Sequence, residues 1–161
     1  MFENITKEFI RTHEFQADFA PAEYPAQSFR LNPNQNLPPS PDEMQNDLRK
    51  VFAEIMATTF KKNYALMDKR CSISEAAMRK YLNGSRPINF FAVAKFCIGA
   101  KLSVEKLYEL AKLCGHIVSP EIYLLDAIVV GALKCGDTID VFYDETIEFG
   151  LQEIWKRDKR I

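Results

Sequence analysis

At 161 residues with 47% hydrophobic content, the chain can bury one ordinary core with a small appended unit. No apolar run approaches the roughly 18 residues of a membrane span. The N-terminus also lacks the basic-then-apolar order of a secretory signal, so a cytoplasmic location without a membrane partner is expected. The net charge of −1 is unevenly spread: residues 1–41 carry −2, residues 42–116 carry +5 and residues 117–161 carry −4. The positive excess is concentrated between Lys61 and Arg86, where seven Lys or Arg face only Asp68 and Glu75.

Residues 1–41 read as an extended arm. A short helix is expected near Asn4 to His13, with Ile5, Phe9 and Ile10 on its apolar side. The stretch from Pro21 to Pro41 then holds six prolines, which exclude helix and sheet ladders through most of it. Phe15, Phe19, Tyr24, Phe29 and Leu31 are large apolar groups of a kind that disordered tails usually lack, so the arm is expected to pack on this subunit or on a partner.

Ser40-Pro41-Asp42-Glu43 predicts a helix start, with an N-cap Ser, Pro at the first helical position and Glu at capping-box spacing. Met44, Leu48, Val51, Phe52, Ile55, Met56 and Phe60 continue at helical spacing as a core-facing stripe. A short second helix is expected over Tyr64 to Arg70, with Leu66 and Met67 inward and Cys71 and Ser72 in the turn that follows. The third begins near Ser74: Ser72 and Glu75 have capping-box spacing, and Ser74 is an alternative cap. Met78, Tyr81 and Leu82 give it one apolar face, while Glu75, Ala76, Arg79 and Lys80 lie on other faces. Asn83 and Gly84 stop it, because Gly accepts the left-handed conformation of a helix end, and Pro87 prevents its immediate resumption.

Phe90, Phe91, Ala94, Cys97 and Ile98 mark a fourth helix. Val104, Leu107, Tyr108, Leu110, Ala111 and Cys114 mark a fifth, capped by Ser103. Ser119-Pro120-Glu121 repeats the Ser-Pro start signal for a sixth, carrying Ile122, Leu125, Ile128, Val129 and Ala132. After Cys135-Gly136-Asp137, the residues Ile139, Phe142, Tyr143, Ile147, Leu151, Ile154 and Trp155 predict one seventh helix. The sixth and seventh are expected to form a helical hairpin.

Chemical motifs are few. There is no H-E-x-x-H, P-loop or G-x-S-x-G, so an enzyme is not expected. Cys71, Cys97, Cys114 and Cys135 are widely spaced without a C-x-x-C pair, which favours buried free thiols over a zinc site. His13 and His116 stand alone in their segments, so neither is expected to ligate a metal. No cofactor is implied.

The stretch SISEAAMRKYLNGSRP, Ser72 to Pro87, resembles the recognition helix and following turn of a lambda-repressor-like helix-turn-helix. With the two short helices, a long helix before them and two after, the order over roughly Asp42 to Cys114 is similar to the Cro/repressor (XRE-like) family. Ser72 stands where the family usually has Gly in the turn. Asp68 falls near its small-residue position, and Tyr64 falls where Gln often opens the second helix. The resemblance implies an all-α fold made of three parts: the arm (1–41), a five-helix helix-turn-helix domain (42–116) and the C-terminal hairpin (117–161), a possible dimerisation element.

It further implies a sequence-specific DNA-binding protein, a transcriptional regulator that reads a major groove of double-stranded DNA with the helix Ser74–Leu82. Carried over residue by residue, Glu75, Ala76, Arg79 and Lys80 become base-reading candidates, with Ala77 at the margin. Arg79 suits guanine, Ala76 a thymine methyl and Glu75 cytosine N4. Lys61, Lys62, Asn63, Tyr64, Asn83 and Arg86 become phosphate candidates. Glu75 and Arg79, at i and i+4, are equally placed to pair with each other. A homodimer through arm and hairpin is expected. The alternative is a helical protein-interaction module, an adaptor or antitoxin-like partner, that keeps the fold without binding DNA.

Overall fold

The structure, a computed structural model, describes Ile10 and residues 39–159. The expected arm therefore lies outside the described residues, apart from Ile10, which is helical and buried in the core, and residues 39–41, which lead into the first helix. The described chain is all-α, with eight helices and no strand among those residues beyond Ile10.

Helix α1, Pro41–Thr58, starts as its sequence demands: Ser40 Oγ accepts the Glu43 N–H at 3.2 Å and Pro41 opens the first turn. Its buried stripe is Leu48, Phe52, Ile55 and Met56. Phe60 lies beyond the helix, contrary to the periodicity. Lys61 and Lys62 take successive left-handed conformations, φ 52° and 59°, and the Lys62 N–H returns to the Met56 carbonyl at 2.7 Å. That reversal leaves Phe60 fully buried, with its ring 5.7 Å from Phe96.

Helix α2, Tyr64–Cys71, is capped by Asn63, whose Oδ1 accepts the Leu66 N–H at 3.0 Å. It ends at Ser72 with φ 55°, the left-handed region that favours glycine. Buried Ile73 and the cap Ser74 complete a three-residue turn into α3, Glu75–Asn83. Ser74, not Ser72, is the N-cap, accepting the Ala77 N–H at 3.1 Å, and Gly84 at φ 82° ends the helix. The loop beyond is pinned to α1, because the Gln45 side chain donates to the Ile88 carbonyl and accepts its N–H, both at 2.9 Å.

Helix α4, Phe90–Ala100, is the central element. Every residue from Phe91 to Gly99 is buried, as expected of a helix apolar all round. It packs on α2, on α5 (Val104–Leu113), on α6 (Leu124–Cys135) and on α7 (Ile139–Glu148). Gly99 is where α2 comes closest: a Cβ there would lie 2.2 Å from Cys71 Sγ and 2.6 Å from the Arg70 carbonyl oxygen.

The C-terminal part departs from the expected two-helix hairpin in two ways. Helix α6 begins at Leu124, not at Ser119. The Ser119 hydroxyl donates to the Ile117 carbonyl instead of capping, and its N–H is taken by the Asp126 carboxylate at 2.8 Å. Residues 119–123 close into a turn that leaves Ile122 exposed. The seventh helix is also broken. Helix α7 stops at Glu148, Gly150 adopts φ 83°, and α8, Gln152–Lys159, turns back. Leu151, Ile154 and Trp155 are thereby buried. Trp155 meets the Phe91 ring edge-on at 4.9 Å, and its Nε1 donates to Thr146 Oγ1 at 2.8 Å. The break divides the apolar residues expected on one helix between α7 and α8 and the turn that joins them.

Candidate nucleic-acid interface

Helix α3 packs mainly on α1 and α2. Met78 and Tyr81 are buried, Leu82 and Ala77 are half-buried, and Glu75, Ala76, Arg79 and Lys80 are exposed. The four base-reading candidates therefore share the outer side of one short surface helix. The i, i+3, i+4 apolar spacing that buries one side leaves the other to solvent.

The structure brings three of the candidates together. Arg79 Nε donates to Glu75 Oε2 at 3.0 Å, and the Arg79 guanidinium carbon lies 4.5 Å from the centre of the Tyr64 ring, the first residue of α2. Both charged side chains remain more than half exposed, at 59% for Arg79 and 55% for Glu75. The i, i+4 pair contributes only about 0.2–0.5 kcal/mol. The cation–π contact adds about 0.5–1 kcal/mol at an exposed site.

The phosphate candidates fall into two groups. Lys61 and Lys62 are exposed at the α1–α2 corner. Of the other four, three have internal roles: Asn63 caps α2, Tyr64 carries Arg79, and Asn83 Oδ1 accepts the Ser85 N–H at 2.8 Å in the turn after α3. Arg86 is half-buried, and its Nη1 has no hydrogen-bond partner among the described residues. Spacing alone hid these roles, although Asn before a helix and Asn-Gly after one are both sequence signals for local hydrogen bonds.

Sequence reasoning missed a buried lysine behind this surface. Lys95 on α4 is 1% exposed, and its Nζ donates to the Ser72 carbonyl at 3.0 Å. The ammonium also lies 4.9 Å from the centre of the Phe91 ring and 5.6 Å from that of Trp155. The turn between α2 and α3 is thus tied to α4 and, through Trp155, to α8. Nothing local marked Lys95 out, since a Lys among FFAVAKFC reads as the one solvated position of an apolar helix.

A second polar cluster lies at the α5–α6 connection. His116 Nε2 donates to the Asp126 carboxylate at 2.9 Å, with both side chains buried, and the imidazole stacks on Phe90 at 4.0 Å. The cluster holds the chain from His116 to Ser119 in place. Burial pushes the neighbouring Cys114 thiol up to about 12, so it is not a nucleophile at neutral pH. Among the described residues no three His, Cys, Asp or Glu side chains are grouped as metal ligands, and no helix is long and apolar enough to cross a membrane.

No family profile, no curated protein and no solved structure matches this chain.

Proposed function

We propose that the chain is a sequence-specific DNA-binding protein, a transcriptional regulator of the lambda-repressor-like helix-turn-helix kind, acting in the cytoplasm as a homodimer. The observation that carries this reading is the unit α2–turn–α3. Two short helices are joined through a left-handed Ser72, and the second keeps Glu75, Ala76, Arg79 and Lys80 together on its exposed side. A helix of nine residues on the surface of a small bundle has the size of a major-groove reader. Left-handed Ser72 supports the likeness further, because the family's usual Gly at this position fits that backbone.

On this reading Arg79 and Lys80 contact bases, while Lys61 and Lys62 contact phosphates at the edge of the groove. The test is the affinity of the full chain for the DNA upstream of its own gene, compared with an Arg79→Ala, Lys80→Ala double variant. Loss of a bidentate base contact lowers affinity by about 1–3 kcal/mol. Equal affinity of the two proteins contradicts the reading.

One observation favours the second reading, a helical protein-interaction module. A groove of about 620 Å³ lies between α5, the 118–122 turn and α6, and exposed Tyr108 and Ile122 line it with Val104 and Val130. If α3 has no affinity for DNA even at low salt, this face is the one to examine.

A further inference from the structure

The geometry around Arg79 assigns a role to Tyr64 that rests on the DNA-binding reading and refines it. We propose that Tyr64 is a positioning residue. Its ring holds the Arg79 guanidinium in one plane, so that the module prefers guanine at the base pair facing Arg79.

A guanidinium offers five N–H donors in a planar fork. Here the Nε–H is already taken by Glu75 Oε2, and the guanidinium carbon sits over the Tyr64 ring, 4.5 Å from its centre. What remains is the end of the fork, the Nη1 and Nη2 donors, which is the edge that matches guanine O6 and N7 in the major groove. Adenine presents a donor where guanine has O6, so the same edge meets one acceptor and one repelling N–H there.

The two holding groups come from different directions. Glu75 lies one helical turn back on α3, whereas Tyr64 opens α2 on the far side of the turn. Together they restrain the plane and the direction of a side chain that otherwise samples many rotamers, and an ordered donor fork loses less freedom on binding. Glu75 alone fixes one nitrogen and leaves rotation about that bond. The ring is what sets the plane.

A phosphate-binding role for Tyr64 makes a different demand on the same side chain. Phosphate contact uses the phenol hydroxyl and carries no base preference, whereas positioning uses the ring and leaves the hydroxyl aside. Two substitutions separate them. Tyr64→Phe keeps the ring and removes the hydroxyl; Tyr64→Leu fills much of the half-buried space but removes the ring.

The experiment selects binding sequences for the full chain from a pool of random DNA duplexes, then repeats the selection with Arg79→Ala to locate the base pair whose preference depends on Arg79. Affinities of wild type, Tyr64→Phe and Tyr64→Leu are next measured on duplexes carrying guanine or adenine there, with thermal melting of each variant as the folding check. Tyr64→Leu is expected to reduce the guanine-over-adenine preference by roughly two- to fivefold with an unchanged salt slope, the range an exposed cation–π contact supports. Tyr64→Phe is expected to behave as wild type. If Tyr64→Leu melts as a folded protein and retains the full preference, or if Tyr64→Phe weakens binding equally on both duplexes, the positioning role is overturned while DNA binding stands. A wild-type chain that enriches no sequence overturns both.

Discussion

Cys71 lies where α2 meets α4, with its Sγ 3.9 Å from the Phe96 carbonyl, and burial pushes its thiol from the ordinary value near 9 up to about 12. Burial pushes Cys114 up to about 12 and raises Cys97 as well. Above pH 9 the unfolded chain releases these thiol protons while the folded chain holds them. Their contribution is therefore fully present below pH 9 and is lost as pH rises through about 12. Urea midpoints measured from pH 8 upward are expected to fall less steeply for a Cys71→Ala, Cys114→Ala variant than for wild type. Parallel curves for the two proteins contradict the burial of these thiols. Other residue-scale features follow from partners distant in sequence. Gln45 holds Ile88 across 43 positions and Lys95 holds Ser72 across 23, and neither pairing has a local signature.

Among the elements, those with a complete local grammar were legible. The Ser-Pro-Asp-Glu start of α1, the Ser103 cap of α5 and the Asn-Gly end of α3 all stand where capping chemistry places them. The errors occur where the same signals had a stronger competitor. Ser119 resembles Ser40, but Asp126 and the Ile117 carbonyl engage it first. Gly150 interrupts a run whose apolar spacing survives the break, so periodicity carried one helix through the position where two meet. Gly99 shows the same limit in packing, since an isolated glycine in an apolar helix gives no hint that the backbone of α2 passes beside it.

That contact fixes how closely α2 sits against α4. Gly99→Ala would bring a methyl within 2.6 Å of the Arg70 carbonyl oxygen, so α2 has to shift. A loss of about 1–3 kcal/mol in unfolding free energy is expected from such overpacking. Unchanged stability in urea contradicts the close approach.

For the whole molecule, one hydrophobic cluster includes residues from α1 through α8, so the C-terminal helices share the core that supports α3. Phe91, Phe142 and Trp155 form an aromatic junction between α4, α7 and α8. The candidate base-reading face itself was legible as a pattern of exposed residues. The Glu75–Arg79 pair within it was legible too, from i, i+4 spacing, whereas the contact of Arg79 with Tyr64 depends on the α2–α3 crossing and was not. A homodimer would set two α3 helices about 34 Å apart on a near-palindromic site. Light scattering of the full chain is expected to give the dimer mass, falling to the monomer mass without residues 1–40; a monomer in both cases contradicts dimerisation.

The most direct test of the central claim, that the exposed side of α3 and its basic flank bind DNA, is the salt dependence of affinity for the chain's own upstream duplex. A linear decrease of log affinity with log salt is predicted, with the slope reduced by about 0.9 for each phosphate contact removed in a Lys61→Ala, Lys62→Ala variant. Absence of binding at low salt, or binding with the same slope in wild type and variant, would contradict it.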